Sequence, residues 1–248
     1  MSIAFEPPIS PDQTDFLWPE EHRARYLEET SRILVSRYGL PTHGNKKDLV
    51  DEVIYIMLSS QTDERKYQSV YHNLVTRYPS WDLIKPEELN NLAEIIKPAG
   101  LSRVKAKNII DLLQKIEVDF GMRNLKALEK MDDSEAEKYL CSLPGIGPKS
   151  ARCVLMYSLG REVFPVDTHN FRVLQRLGVH DLPLPIRRWH NKLQNMIPAS
   201  IRFSLHVTLI PLGRELCKTS KPLCQSCPLN QICCFGRNNM RRVSEGGI

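Results

Sequence analysis

The chain is predicted to be all-α, and three observations predict it. Apolar residues recur at the three- and four-residue spacing that lines one face of a helix. Almost no stretch alternates apolar with polar residues as a half-buried strand does. One segment, 47–58, turns apolar all round, as a helix at the centre of a bundle must.

The elements follow in chain order. Residues 1–20 hold Pro7, Pro8, Pro11 and Pro19, and this stretch reads as an extended arm because proline fixes φ and removes a backbone donor. KDLVDEVIYIML at 47–58 is the central helix. Between Asp63 and Tyr78, the residues Tyr67, Val70, Tyr71, Leu74 and Val75 form one stripe of an amphipathic helix. Leu89, Leu92, Ile95 and Ile96 repeat the spacing after Pro86, and Val104, Ile109, Ile110, Leu113 and Ile116 mark the next helix. Further helical stretches are expected near 133–142, 148–159, 168–177, 185–197 and 200–213. After Gly213 the composition shifts, with cysteines and basic residues crowding together, and no internal repeat or low-complexity tract is visible.

With 248 residues the chain makes one large domain or two small ones and can bury a sizeable core without staples. At 42% apolar and 25% charged residues it is ordinary globular material, which excludes disordered, collagen-like and coiled-coil classes. No apolar run approaches the roughly 18 residues needed to span a bilayer. The first twenty residues contain no Lys or Arg, the wrong composition for a signal or transit peptide. An intracellular chain is therefore expected, cytoplasmic and nucleoid-associated if prokaryotic. There its seven cysteines are metal ligands or core thiols rather than disulfides. The net charge of +5 is uneven: residues 1–60 carry 6 Lys/Arg against 10 Asp/Glu, and the remainder 28 against 19. A basic downstream portion suits a polyanionic partner such as nucleic acid, although such a surface also serves solubility.

The most informative stretch is LPGIGPKSARCVLMYSLG at 143–160. Pro144 stops one helix, Gly145-Ile146-Gly147 supply a tight turn, and Pro148 opens the next helix at its first position. Backbone N–H groups of such a turn, with a helix N-terminus behind them, form a cradle for a phosphate. The alternative is a plain connection between two helices. Lys149 falls in the first turn of the second helix, where the dipole disfavours a cation and favours the neutral, nucleophilic amine. A solvated surface lysine is the bland reading. In VFPVDTHNFRVLQRLG at 163–178, Asp167 has the position of an N-cap and also that of a carboxylate placed to accept a proton. His169 reads as a core or capping histidine.

Cys217, Cys224, Cys227 and Cys233 are spaced C-x6-C-x2-C-x5-C. Structural zinc usually takes two short cysteine pairs, and only one C-x2-C exists here, so an iron–sulfur cluster fits the pattern better. Cys234 competes with Cys233 for the fourth place, and Cys141 and Cys153 read as core thiols.

Taken together, LPGIGPKSA, VDTH eighteen residues beyond the lysine, and the cysteine spacing resemble the endonuclease III family of DNA glycosylases, in the helix-hairpin-helix superfamily. The resemblance runs from about residue 45 to 235 and implies a two-lobed helix-hairpin-helix glycosylase fold. It implies a six-helix barrel over 45–160, a helical lobe from 21–44 with 161–248 carrying a [4Fe–4S] cluster on the four cysteines, and the arm at 1–20 outside both. The implied activity is base-excision repair: a bifunctional glycosylase and abasic-site lyase acting on damaged pyrimidines, with duplex DNA holding a damaged or mismatched base as partner of a monomer.

By the same resemblance Lys149 attacks C1′ of a flipped-out nucleotide and Asp167 activates it or stabilises charge on the sugar. Gln61 fills the vacated hole and Leu101 wedges between bases. Gly145, Ile146 and Gly147 meet phosphate, as does the loop from Lys218 to Lys221. The chain reads Gln61-Thr62-Asp63 where many members have one more residue between Gln and Thr. Competing readings are a same-fold glycosylase for G·T or G·U mismatches or modified cytosine, a non-catalytic DNA-binding module, and a zinc-stabilised DNA-binding protein. The adenine-removing branch typically lacks a lysine where Lys149 stands.

Overall fold

A computed structural model of the protein describes residues 19–180 and 185–237. Among these, every regular element is helical, as the apolar spacing requires. The chain divides into two compact units, a central one from Thr42–Pro165 and a terminal one formed by Met1–Pro41 with Val166–Ile248. The arm expected at 1–20 lies outside the described residues except for Pro19 and Glu20, and Glu20 already begins a helix.

The central unit holds α2 (Leu49–Ser59), α3 (Glu64–Arg77), α4 (Leu89–Ile96), α5 (Ser102–Phe120), α6 (Asp133–Ser142) and α7 (Pro148–Leu159). Helix α2 packs against α3, α5 and α7, and every residue from Glu52 to Leu58 is buried, which explains its loss of a polar face. Asp48 starts it, accepting hydrogen bonds from the N–H groups of Val50 and Asp51. At α6 a capping box forms, Asp132 and Glu135 each accepting from the other's backbone. Buried Arg152 on α7 donates Nε to Glu137 Oε2 on α6 at 2.9 Å, fixing the two hairpin helices to each other by a charged bond inside the fold.

The terminal unit joins the two ends of the chain. Helix α1 (Glu20–Tyr38) packs along α10 (Arg202–Glu215) and touches α9 (Trp189–Met196), while α8 (Thr168–Arg176) packs on α10 from elsewhere in the same unit. Helix α10 is buried from Leu205 to Ile210 and carries Pro211 in its interior. Where one helix was expected over 185–197, a tight turn at Ile186–Arg188 precedes α9, and a similar turn at Ala199–Ile201 precedes α10. Proline at 185 and at 198 starts each turn with extended backbone, which displaces the first regular helical turn downstream. Among the described residues no single helix is long and apolar enough to cross a membrane.

Candidate nucleic-acid interface and four-cysteine loop

The hairpin between α6 and α7 is shaped by one glycine more than by two. Gly145 takes φ +79°, and a Cβ there meets Asn108 Nδ2 of α5 at 2.6 Å, so both conformation and space demand glycine. Gly147 is extended at φ −108°, and nothing lies within 4 Å of where its Cβ would be. Ile146 between them is buried, anchoring the turn, and its N–H bonds to Leu143 O at 3.1 Å. Local conformation and packing therefore demand glycine at 145 and not at 147. Pro148 occupies the start of α7 and the N-cap residue Gly147 makes no side-chain cap hydrogen bond, and such a helix N-terminus suits an anion.

Lys149 is the second residue of α7 and half-buried. Behind it on α2 lies a group the sequence reading missed. Glu52 is fully buried, accepting Asn45 Nδ2 at 2.5 Å and the Lys46 N–H at 2.6 Å. Burial pushes its carboxyl up to about 6, while those two hydrogen bonds and the charges of Lys46 and Lys149 pull the other way. The nucleophile candidate thus stands within electrostatic reach of a buried carboxylate. Lys46 itself is held with its ammonium over the rings of Tyr55 and Tyr71, at 4.4 and 4.7 Å from their centroids.

Gln61 and Leu101 sit at loop tips in the same unit, both exposed, with left-handed backbone at φ 55° and 48°. Among the described residues the third non-glycine with positive φ is Lys221, at φ 49°. Such a conformation costs a residue with a Cβ roughly 1 kcal/mol, and all three residues are ones the resemblance marks for DNA contact. Asp63, next to Gln61, caps α3 by accepting the Arg65 N–H at 3.1 Å, which gives it a structural task.

In the terminal unit, Asp167 is the N-cap of α8, its Oδ1 accepting the Asn170 N–H at 2.7 Å. His169 packs on Gly213, where an added Cβ would lie 2.8 Å from it, and its Nδ1 lies 3.2 Å from Arg172. Burial holds the His169 imidazole below its usual range, against the pull of Asp167. Arg172 continues to Gly213 O and Cys217 O, at 2.9 and 3.0 Å, linking α8 to the start of the cysteine loop.

Cys217, Cys224, Cys227 and Cys233 are brought to one region. Cys227 feels the charges of Cys217 and Cys224, and Cys233 those of Cys227, Cys217 and Cys234. Cys233 Sγ lies 3.3 Å from Arg176 O, and Cys234 Sγ lies 3.4 Å from Leu177 O and closes against Gly178. Among the described residues no three His, Cys, Asp or Glu side chains converge tightly enough to hold a single ion. The sulfurs of Cys217, Cys227 and Cys233 are nevertheless met by donors. Arg176 Nη1 reaches Cys217 Sγ at 3.2 Å, the Gly236 N–H reaches Cys233 Sγ at 3.4 Å, and the Leu229 N–H bonds to Cys227. Burial pushes the Cys233 thiol up to about 12, so only a strong positive centre ionises it. A donor set of four cysteine sulfurs fits an iron–sulfur core. Lys218 and Lys221 are exposed on the loop these thiols enclose, and Arg176 pins that loop by donating to Lys218 O and Thr219 O at 2.7 and 3.0 Å.

Residues 54–192 match the HhH-GPD superfamily of base excision DNA repair proteins. The chain is 30% identical to endonuclease III of Bacillus subtilis over 82% of its own length and 86% of that protein's. Against endonuclease III of Thermotoga maritima the identity is 27%, covering 88% of this chain and 99% of the other. Two plant relatives are longer: the chain spans 60% of one from Arabidopsis thaliana and 9% of one from Oryza sativa. An endonuclease III solved in a non-covalent complex with DNA superposes with a TM-score of 0.73 at 26% identity, covering 91% of this chain and all of that one.

Proposed function

The chain belongs to the HhH-GPD superfamily of base excision DNA repair proteins, in its endonuclease III branch, and from that premise we propose that it removes damaged pyrimidines from duplex DNA and then cleaves the abasic strand. The observation that carries the reading is Lys149 in the first, uncapped turn of α7, directly behind a hairpin that the fold builds around Gly145. A phosphate on that helix end brings the sugar backbone to the lysine, and a flipped nucleotide then offers C1′ to its amine.

The chemistry balances through this chain's own groups. As the bond from Lys149 Nζ to C1′ forms, the glycosidic bond breaks and its electron pair leaves with the base. The nitrogen gives up a proton, the role assigned to Asp167; the C1′–O4′ bond then breaks with its electron pair going to O4′, which takes up that proton as a hydroxyl, and an iminium is left at C1′. The iminium acidifies the neighbouring C2′ hydrogen, whose removal expels the 3′ phosphate by β-elimination. Backbone N–H groups of the hairpin and the exposed Lys218 and Lys221 hold phosphates. Cys217, Cys224, Cys227 and Cys233 would hold a [4Fe–4S] cluster, which supplies a compact cationic core that ties down the 217–233 loop.

Borohydride trapping tests the reading, with wild type and Lys149→Ala on duplexes carrying an oxidised pyrimidine, a G·U or G·T mismatch, or an abasic site. Covalent capture by wild type alone is expected, strongest on the oxidised pyrimidine. Capture by Lys149→Ala sinks the nucleophile assignment, and strongest capture at a mismatch moves the substrate to the mismatch-repair reading.

A further inference from the structure

A buried ammonium ties together the two loops that carry Gln61 and Leu101, and nothing in the chemistry above uses it. Lys105, the fourth residue of α5, is 4% exposed. Its Nζ donates to the carbonyls of Leu58, Ser60 and Ala99, each at 2.9 Å, and meets Thr62 Oγ1 at 3.0 Å. The Thr62 hydroxyl in turn donates to Ala99 O at 2.6 Å. Leu58 lies in the last turn of α2, Ser60 and Thr62 belong to the turn from α2 to α3, and Ala99 to the turn that enters α5.

A charge this deep is tolerated only when its protons are satisfied, and here three protons serve four oxygens. Burial lowers the ammonium's affinity for its proton, so the oxygens around it are what keep the charge in place. The cation also stands at the C-terminal pole of α2, where a positive charge is favoured. Its side chain runs back past the start of its own helix to Ala99, the direction helical side chains take.

The geometry of the two tips depends on this knot. Gln61 lies between anchored Ser60 and anchored Thr62. Leu101 lies two residues beyond anchored Ala99, and its carbonyl accepts the Lys105 N–H at 2.9 Å. Both tips hold a left-handed backbone that persists only where the surroundings over-determine it. Gly100, at φ +67°, gives the second tip its sharp approach.

We propose that Lys105 is a positioning residue that holds the Gln61 and Leu101 loops at one fixed spacing, so that the pair enters the base stack together and the lysine chemistry gains access to duplex substrates. The proposal rests on the base-flipping reading of this site. A single strand needs no wedge, so Lys105 matters for the duplex and little for the covalent step itself.

The test compares wild type with Lys105→Met, both in full length, on an abasic site in duplex and in single-stranded form, by borohydride trapping and by the fluorescence of 2-aminopurine beside the site. Single-strand trapping is expected to stay within about twofold of wild type, while duplex trapping falls about tenfold or more because unstacking is no longer supported. The fluorescence rise on binding duplex is expected to disappear. Equal losses on both substrates, or no loss on duplex, overturn the proposal. Should Lys105→Met fail to fold, Thr62→Val carries the test, with the same split expected at about threefold; no split overturns it. If wild type traps neither substrate, the glycosylase reading fails on its own account. The 2-aminopurine signal then still decides, and an equal rise with both proteins overturns the role of Lys105.

Discussion

Glu52 shows how far one buried group shapes its surroundings. It is the one charged residue in the buried run EVIYIML at 52–58, and the fold accepts it by turning Asn45 and the Lys46 N–H toward it. With its carboxyl raised to about 6, chiefly by burial, the folded chain binds a proton there that the unfolded chain has already released between the usual carboxylate range and pH 6. Stability therefore falls as pH rises through that window, and the loss is complete above about 6. A shift of this size corresponds to about 2 kcal/mol. Glu52→Gln has no proton to lose, so urea melts at pH 4.5 and 7 should show wild type losing about 2 kcal/mol relative to the variant. A wild-type minus variant difference that stays constant with pH would refute the raised carboxyl. Lys105 is the complementary case, a buried cation that four oxygens make tolerable.

Helices were legible in the sequence where their ends carry chemistry of their own. The stretches expected at 133–142 and 148–159 coincide with α6 and α7, because Asp132 and Glu135 cap one and Pro148 opens the other. Helix α1 was not read from apolar spacing, since EEHRARYLEETSRILVSRY is mostly polar and its buried face of Tyr26, Leu27 and Leu34 is narrow. The roles of Glu52 and Lys105 were invisible for a different reason: Lys105 meets oxygens more than forty residues away in sequence, and no local pattern encodes that. The four-cysteine loop announced itself by spacing, whereas the contacts of Cys234 with Leu177 and Gly178 join residues more than fifty positions apart.

The hairpin offers a test at this same scale. Gly145→Ala strains a left-handed position and drives a Cβ into Asn108, so it is expected to destabilise by about 1–3 kcal/mol. Gly147→Ala meets open space in an extended conformation, and its stability should stay within about 0.5 kcal/mol of wild type. Duplex affinity, read by anisotropy, is nonetheless expected to fall for Gly147→Ala, because the added methyl stands where a phosphate approaches. Unchanged affinity with unchanged stability would remove Gly147 from the interface. On α10, Gly213→Ala places a Cβ 2.8 Å from His169 and should lower the melting temperature through displacement of the α8 N-terminus.

Because the chain leaves the terminal unit after α1 and returns to it at Val166, that unit is assembled from two separate stretches of sequence. Its closure depends on contacts between distant segments. Tyr26 Oη on α1 donates to Ile232 O at 2.9 Å, Arg23 Nε to Met196 O at 3.2 Å, and Arg172 and Arg176 on α8 hold the backbone of 217–219. The cysteine loop is thus a junction of α1, α8 and α10, while the core of the central unit, from Leu49 to Val163, is built without it. Loss of one cluster ligand should accordingly be felt unevenly. In Cys224→Ser, hydrogen exchange is expected to quicken by about tenfold or more across α10 and residues 217–233, with protection in α2, α5 and α7 largely kept. Iron content should fall in parallel. Uniform loss of protection through both units would show one cooperative fold instead of two, and full iron with unchanged exchange would show that Cys224 is no ligand.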